Sequence, residues 1–426
     1  MILTSSSLSN PGPSALSDST GEGMDHQDVN VTSIYYDPYD YEIDADPHPV
    51  WARMRDELPV YWNERYQFFA LSRFEDVWSA YLDTKTFSST HGVTLDMLMA
   101  DAPVEHPSMI FMDPPEHDAM RKLVSRAFTP RRIADLEESV RQLVVDYLDP
   151  FVGAGEFDYV SEFGALLPPM VIGALIGVPV DDRDQVRRWF DELMHLSEGD
   201  TGMGDAALAA MGELMDYAGG MISERRESPN DDFVSALLSA EVDIEGTPRR
   251  LTDLEIQNFI MMLAGAGVET VARLLSWAAV LFARNPAERA KVVADPNLIP
   301  NAIEELLRYE APSPVNGRFT LHDVDVLGIR IPAESRVLLL NGSANRDPRE
   351  FDDPDAFRVD RTIKRHISFG YSAHFCLGAA LARLESRIAL EETFARFPTW
   401  EIDESRLEMV RTVSVRGYSS VPIRVG

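Results

Sequence analysis

The sequence predicts a mainly helical protein with one large domain and small peripheral β-sheets. Apolar residues recur at helical spacing over long stretches of the 426 residues. Strand-like patterns are fewer and lie in clusters, and no later break in composition divides the chain. We therefore expect residues 31–426 to form a single domain. Residues 1–30 are rich in Ser, Gly and Pro, which predicts a disordered N-terminal tail.

The helical patterns follow one another through most of the chain. In order, they cover residues 46–56, 73–82, 114–127, 133–152, 167–176, 183–194, 204–224, 231–240, 253–284, 286–294, 299–310 and 377–396. Strand patterns cover residues 60–70, 324–340 and 413–425. Strands that are so few and so separated predict small sheets at the edge of a helical body.

The charge and the cysteine content narrow the classes of function. A formal net charge of -31 argues against nucleic-acid binding and against attachment to anionic lipid. A single cysteine cannot form a disulfide within the chain, so we expect a reducing cytoplasm. The sequence contains no run of about 18 apolar residues, so we expect no membrane-spanning helix. The default expectation is a cytoplasmic monomer.

The most informative segment is residues 366–378, HISFGYSAHFCLG, which leads directly into a helical pattern. A lone cysteine is often only a small buried apolar residue. Cys376, however, stands where a loop enters a helix, and the amides at a helix start stabilise a thiolate. Gly370 and Gly378 on either side allow backbone shapes that other residues do not. A thiolate in such a loop is suited to bind haem iron.

Residues 369–378 fit F-G-x-x-x-H-x-C-x-G at every fixed position, and in this the chain resembles the cytochromes P450. The resemblance implies the cytochrome P450 fold and haem b (iron protoporphyrin IX), with Cys376 as the axial metal ligand. It implies that His374 donates a hydrogen bond to a haem propionate. Further haem contacts are expected from Phe369, Gly370 and Gly378.

A second segment, residues 113–121 (DPPEHDAMR), places two cationic side chains four residues apart. Asp113 is expected to cap a helix with Pro114 in its first turn. His117 and Arg121 then share one helix face. Such a pair is often solvated surface, but it also suits the binding of carboxylates. The resemblance implies that both bind the haem propionates, with Arg318 as a further contact.

A third segment, residues 263–270 (LAGAGVET), lies inside the long pattern 253–284. Each glycine within a helix costs about 1 kcal/mol relative to alanine, and either an approaching flat macrocycle or helix–helix packing could offset that cost. Thr270 can donate to the carbonyl of Ala266 and loosen the helix. The resemblance implies that Ala266 and Gly267 contact haem. It implies that Glu269 and Thr270 are catalytic residues that deliver protons to oxygen.

A fourth segment contains Glu305 and Arg308, which alone would be an ordinary helix ion pair worth a few tenths of a kcal/mol. The resemblance implies that they join a later arginine as structural residues beneath the haem. Arg361 is the first candidate for that arginine and Arg346 the second.

The resemblance implies a monooxygenase that inserts one oxygen atom from O2 by hydroxylation or epoxidation. No flavin or nucleotide-binding domain accompanies these segments, so we expect electrons from an external ferredoxin and its NAD(P)H reductase. Residues 121–132 hold five bases and no acid. With Arg361, Lys364 and Arg365, they predict a basic patch that docks an acidic ferredoxin.

Alternative functions remain open at this point. One is a haem-thiolate binding or sensing protein without turnover, and another is a peroxide-driven peroxygenase on the same fold. The pair Glu269 and Thr270 argues against both. A cysteine hydrolase would need His374 as a base only two residues from Cys376, which is an unusual geometry.

The predicted substrate pocket draws on residues 94–110, 167–215, 262–268, 313–315 and 413–415, which are largely apolar and contain adaptable methionines. This composition favours an apolar small molecule such as a terpenoid, a branched lipid or a steroid. The individual residues expected to line it are Met109, Ile110, Met262, Val268, Ser313, Val315 and Val415.

Overall fold

Helices dominate the structure, a computed structural model that describes residues 34–125, 128–195, 204–244, 246–412 and 414–426. Residues 34–426 form one compact unit. The predicted tail, residues 1–30, lies outside the described residues and stays a prediction.

The helices in chain order are α1 (Tyr41–Ala45), α2 (His48–Glu57), α3 (Phe74–Leu82), α4 (Leu95–Leu98), α5 (Glu116–Val124), α6 (Pro130–Ala134), α7 (Glu137–Leu148), α8 (Leu167–Ile176), α9 (Arg183–Met194), α10 (Asp205–Glu227), α11 (Phe233–Ser239), α12 (Asp253–Arg284), α13 (Pro286–Ala294), α14 (Ile299–Tyr309), α15 (Asn341–Ala344) and α16 (Ala379–Arg396).

The strands are β1 (Val60–Asn63), β2 (Phe68–Leu71), β3 (Phe87–Ser88), β4 (Glu156–Asp158), β5 (Glu241–Ile244), β6 (Thr247–Arg250), β7 (Asn316–Thr320), β8 (Val324–Val326), β9 (Ile329–Ile331), β10 (Arg336–Leu339), β11 (Trp400–Ile402), β12 (Glu408–Met409), β13 (Tyr418–Ser420) and β14 (Pro422–Val425).

The central element is α12, against which α8, α10, α14 and α16 pack. A capping box starts this helix: Thr252 Oγ1 accepts from the Glu255 amide, and Glu255 accepts from the Thr252 amide at 2.8 Å. Such caps stabilise a helix by ~1 kcal/mol. Among the described residues, α12 alone is long and apolar enough to cross a membrane, and 67% of its apolar window is buried inside the protein. Its composition is therefore that of a core helix.

The strands form one mixed sheet and several smaller sheets. The five-stranded sheet has the order β1-β2-β10-β7-β3, with β2 and β10 parallel and the other pairs antiparallel. A three-stranded sheet has the order β11-β14-β4. Three two-stranded hairpins pair β5 with β6, β8 with β9, and β12 with β13. The mainly helical fold with small sheets is confirmed.

Most predicted helices are present, and those over 167–176, 183–194, 253–284 and 286–294 have the predicted bounds. The single helix predicted over 133–152 is wrong, because α6 and α7 are separate and α6 starts three residues earlier. Thr129 caps α6 by accepting from the Arg132 amide, and Pro130 occupies its first position. The strands β3, β4, β7, β11 and β12 and the β5–β6 hairpin were not predicted.

The predicted cap at Asp113 is also wrong. Helix α5 begins at Glu116 after Pro115, and no side chain caps it. Asp113 instead accepts a hydrogen bond from the Ser89 amide at 3.0 Å. The carboxylate therefore ties the loop after β3 to the start of α5.

Candidate active site

A large apolar cavity, here called the main cavity, lies between α12 and the loop that contains Cys376. Its volume is about 280 Å³, many times the ~10–15 Å³ that one water molecule needs. One wall contains Phe369, Cys376 and Leu377, and α12 contributes Ala266 and Thr270. The cavity has the size and lining expected for an organic cofactor together with a small-molecule ligand.

The loop of residues 366–378, here called the Cys loop, is folded tightly on itself. The Cys376 amide donates to the Phe369 carbonyl at 2.8 Å, which closes the loop. Gly370 has a φ of +63°, and a Cβ there would lie 3.3 Å from the His374 carbonyl oxygen. A side chain at Gly370 would therefore be strained both by backbone conformation and by crowding.

Asn345 holds the start of the Cys loop against the protein. Its Oδ1 accepts from the Ile367 amide at 2.8 Å, and its Nδ2 donates to Ser368 Oγ at 2.8 Å. Ser368 Oγ in turn donates to the Leu307 carbonyl of α14 at 2.6 Å. Sequence reasoning missed Asn345, since a single asparagine outside any motif gives no signal.

Beneath the Cys loop, Glu305 binds two arginines in a buried cluster. Arg308 donates to its carboxylate at 2.7 and 2.8 Å, and Arg361 donates at 3.1 Å. Arg308 also donates to the Asn345 carbonyl at 3.0 Å. Arg361, the first candidate for the arginine that joins Glu305 and Arg308, therefore contacts Glu305. The second candidate, Arg346, contacts Glu310 at 2.7 Å.

The environment of Cys376 contains opposing influences on its thiol. Burial raises the pKa of Cys376, because the interior disfavours a charged sulfur. The Gly378 amide, Arg121 and Arg383 act in the opposite direction and lower it. The sulfur thus lies where amide dipoles and two cations stabilise a thiolate once a further positive partner binds.

Three basic side chains, Arg121, Arg318 and His374, line the main cavity, and His117 packs against His374. Arg318 is buried and donates to the Gly317 carbonyl at 2.6 Å. Its guanidinium lies 5.1 Å from the Tyr81 ring centroid. Burial lowers the pKa of Arg318, and the negative charge of Asp113 offsets this effect only in part.

His117 and His374 lie side by side, with ring centroids 4.4 Å apart. His117 is fully buried, and its Nε2 has no hydrogen-bond partner among the described residues. Burial, together with the positive charges of Arg318 and Arg121 and the nearby His117, lowers the pKa of His374 to about 2. His374 Nε2 instead contacts Ser89 Oγ at 3.3 Å.

His117 Nδ1 contacts Asp118 Oδ1 at 3.0 Å, so only the Nε2 atom of that ring is without a partner. A buried cation without a bonded carboxylate and a buried imidazole nitrogen without a partner are costly unless a ligand compensates them. Arg121 adds a further donor group, and its Nη2 donates to the Phe375 carbonyl at 2.6 Å. A haem bound in the main cavity would bring two carboxylates to such a cluster. The side chains present therefore fit haem.

The predicted hydrogen bond of Thr270 is present in α12, which forms one wall of the main cavity. Thr270 Oγ1 donates to the Ala266 carbonyl at 3.0 Å. The glycines, however, are explained by helix packing: a Cβ at Gly267 would lie 2.8 Å from Ile172 of α8, and one at Gly265 would lie 3.1 Å from Phe190 of α9. Helix–helix contact thus accounts for both glycines, although Gly267 also lines the main cavity.

Glu269 does not line the main cavity. Its carboxylate is buried and accepts from Arg273 Nε at 3.1 Å, and Arg273 also donates to the Tyr418 carbonyl. Asp191 of α9 faces it: burial raises the pKa of Asp191 to about 6, with Glu269 contributing in the same direction. Glu269 therefore lies next to Thr270 in sequence but on a different side of α12.

Glu385 of α16 lines the main cavity and was missed by sequence reasoning. It is buried, and its Oε2 has no hydrogen-bond partner in the described part of the chain. Burial raises the pKa of Glu385 well above its ordinary value, because the apolar surroundings disfavour the charged carboxylate. The buried Leu381 and Ile388 share its helix face, so periodicity could have revealed a buried carboxyl group.

The predicted substrate-pocket residues fall in three places. Met109, Ile110, Met262 and Ser313 line the main cavity. The prediction was wrong for Val268, whose side chain is buried in the hydrophobic core around α12. Val315 and Val415 line a separate cavity, here called the small cavity. Residues that line the main cavity but were not predicted are Val93, Ile172 and Asn316.

The predicted basic patch is smaller than expected. Arg361 is buried against Glu305, and Arg365 pairs with Glu350 at 2.9 Å. Arg126 lies outside the described residues. Exposed bases without an ion pair to any described residue remain at Lys122, Arg131, Arg132 and Lys364.

Comparison with known proteins gives consistent matches over nearly the whole chain. The profile of the family described as Cytochrome P450 matches residues 52–415. Cytochrome P450 130 of Mycobacterium tuberculosis is 39% identical over 388 residues, covering 89% of this chain and 95% of that protein. The 6-deoxyerythronolide B hydroxylase of Saccharopolyspora erythraea is 37% identical over 316 residues, covering 74% and 76%.

Among solved structures, CYP109E1 from Bacillus megaterium in complex with corticosterone matches with a TM-score of 0.78 and 32% identity. The match covers 90% of this chain and 99% of that chain. Sequence and structure thus point to the same family.

The substitution Arg318→Leu is expected to speed haem loss. A charge-assisted hydrogen bond contributes ~1.5–3 kcal/mol, which corresponds to about 10- to 100-fold in rate. The measurement is the transfer of haem to excess apomyoglobin. Arg336→Leu, on the neighbouring strand β10 and bonded to Asp101, is the control and should leave the rate unchanged. Equal rates in the two variants would contradict a role of Arg318 in haem binding.

Proposed function

The chain belongs to the cytochrome P450 family, whose members are monooxygenases, and we propose that Cys376 binds the iron of haem b in the main cavity. The observation that carries the proposal is an apolar cavity with Cys376 in its wall and uncompensated donors at its edge. Arg121, Arg318 and the two histidines would bind the propionates.

Bound haem supplies the activation of O2, which a thiolate ligand assists by donating electron density. The protein's own contribution is to exclude water, position a substrate and move protons. Met109, Ile110 and Met262 give the main cavity an apolar lining. Ala266 of α12 also lines it. One oxygen atom from O2 would enter a C–H bond or a double bond of a substrate held against these side chains.

Thr270 is the proposed proton donor within the main cavity. Its hydroxyl donates to the Ala266 carbonyl at 3.0 Å and can turn to donate into the cavity instead. Glu269 would pass a new proton to Thr270 only after its ion pair with Arg273, at 3.1 Å, has broken. The proposed proton route therefore includes a rotation of the Glu269 side chain.

We infer an apolar substrate, such as a terpenoid, a branched lipid or a steroid, converted by hydroxylation or epoxidation. The lining supports this class, since Ser313 and Asn316 are among few polar side chains beside Met and Ile. The similarity to a protein bound to corticosterone and to a 6-deoxyerythronolide B hydroxylase is consistent with it.

An external acidic ferredoxin with its NAD(P)H reductase is the proposed electron source. Arg121 contacts the Phe375 carbonyl of the Cys loop, and the exposed Lys122 follows it on α5. Arg131 and Arg132 are exposed in α6. Phe375 is 40% exposed and adds an apolar side chain to the surface of the Cys loop. Exposed bases together with an apolar contact suit docking of an acidic partner.

Two alternative functions differ from the proposal in measurable ways. A haem-thiolate sensor would bind the same cofactor without turnover, and a peroxygenase would use peroxide without O2 and ferredoxin. The Thr270 hydroxyl in the main cavity favours the monooxygenase. The hydrolase alternative loses support, because His374 Nε2 contacts Ser89 Oγ at 3.3 Å.

Reduction under carbon monoxide tests the proposed sulfur ligand. The haem-loaded protein should show the strongly red-shifted Soret band that thiolate ligation produces. Cys376→His, which offers nitrogen in place of sulfur, should bind haem and lack that band. A wild-type spectrum without the shifted band would contradict the proposal.

The substitution Thr270→Ala tests proton delivery. Because the hydroxyl is lost, product formed per NAD(P)H should fall by about tenfold or more, while hydrogen peroxide release rises. The measurement compares NAD(P)H consumed, product and peroxide in one reaction. Thr270→Ser keeps the hydroxyl and should restore coupling. A protein whose peroxide-driven rate is high and unchanged by Thr270→Ala would instead be a peroxygenase.

Charge reversal tests the docking patch. Lys122→Glu with Arg131→Glu should slow reduction by an acidic ferredoxin at low salt, and high salt should remove most of the difference. Stopped-flow reduction under carbon monoxide measures the rate. Arg226→Glu, on the distant helix α10, is the control. Equal slowing by that control would show a general charge effect and contradict the patch.

A further inference from the structure

We infer that the small cavity is a binding site for a small organic cation, separate from the site of oxygen chemistry. It lies between α1, α2 and α4 on one side and, on the other, Pro314, Val315, Thr412, Ser414, Val415 and Arg416. This inference goes beyond the monooxygenase reaction and does not depend on turnover.

The size of the small cavity limits its occupant. Its volume is about 60 Å³, and one water needs ~10–15 Å³ on the same measure. The space therefore corresponds to about five heavy atoms. A quaternary or protonated small amine has that size.

Aromatic side chains form much of its wall. Tyr36, Tyr39 and Trp51 all line the small cavity. Tyr36 and Trp51 are each only 2% exposed, so the wall is part of the packed core. Aromatic faces attract cations, with a strength of ~0.5–2 kcal/mol that increases as water is removed.

Three charged side chains, Asp44, Asp96 and Arg416, line the small cavity. Asp44 pairs with Arg411 at 3.0 Å, and Arg416 shares Glu310 with Arg346, at 2.6 and 2.7 Å. Asp96 is half-buried, has no ion pair with any described residue, and its Oδ1 is buried without a hydrogen bond. A buried carboxylate oxygen without a partner is costly, and a cation beside it would reduce that cost.

The charge of Asp96 acts on the aromatic wall. Burial raises the pKa of Tyr39, and the negative charge of Asp96 raises it further. The carboxylate and the ring are therefore close enough to act on the same ligand. A carboxylate beside aromatic faces is the arrangement that recognises quaternary ammonium groups.

A thin wall separates the small cavity from the main cavity. Ser313 and Asn316 face the main cavity, whereas Pro314 and Val315 face the small cavity. The Gly317 amide donates to the Val93 carbonyl at 2.6 Å, which joins this segment to the loop before α4. A cation in the small cavity thus lies beside the substrate-binding space but not within it.

Tetramethylammonium is the probe, since it has five heavy atoms and no lone pair with which to bind iron. Calorimetric titration of the haem-loaded protein should show saturable binding. Asp96→Asn should weaken it about tenfold, because the charge is lost while the shape is kept. The matched control is Glu42→Gln, which removes an exposed charge from α1 outside the cavity and should leave affinity unchanged. An equal loss in both variants would overturn the inference.

Two further titrations distinguish the sources of binding. With haem iron saturated by 4-phenylimidazole, tetramethylammonium should bind with unchanged affinity; abolished binding would place it in the main cavity and overturn the inference. tert-Butanol has a similar size and no charge, and should bind at least tenfold more weakly. Equal affinity for the two compounds would show a merely apolar cavity and overturn the inference even if Asp96→Asn fails to fold.

Discussion

The buried contact of Glu305 with Arg308 and Arg361 is the interaction on which the cavity architecture depends. It joins α14 to the segment that precedes the Cys loop, and Arg308 extends the connection to the Asn345 carbonyl. Asn345 then binds Ile367 and Ser368 at the start of that loop. The position of the sulfur is thus set by a chain of polar contacts that water does not reach. Removing one member would leave a buried charge unpaired, which is far costlier than losing a surface ion pair.

The helices and the segments around the main cavity could be read from the sequence because their signals are periodic or closely spaced. Helix α12 carries a capping box at its start and a long apolar pattern, and its bounds were predicted without error. The strands β3 and β12 have two residues each, too few for a period. Asp113 fitted the pattern of a cap, but the backbone placed it against Ser89 instead.

Within the candidate site, sequence reasoning identified side chains that stand in motifs and misjudged those whose direction depends on the backbone. Val315 and Ser313 are two residues apart, yet they face different cavities. Glu269 follows the expected spacing, but Arg273, one helical turn later, draws it away from Thr270. Asn345 and Glu385 lack any motif, and their roles follow from tertiary contacts alone. The sequence could indicate the type of residue in the site, but not the direction of each side chain or the groups it contacts.

The thin segment between the two cavities has a practical consequence for protein engineering. Residues 313–316 divide their side chains between two cavities, so mutant libraries that randomise this segment will change both at once. Libraries at Met109 and Met262 will change only the space beside Cys376. Selectivity and sensitivity to small additives would therefore evolve together from the first kind of library and independently from the second.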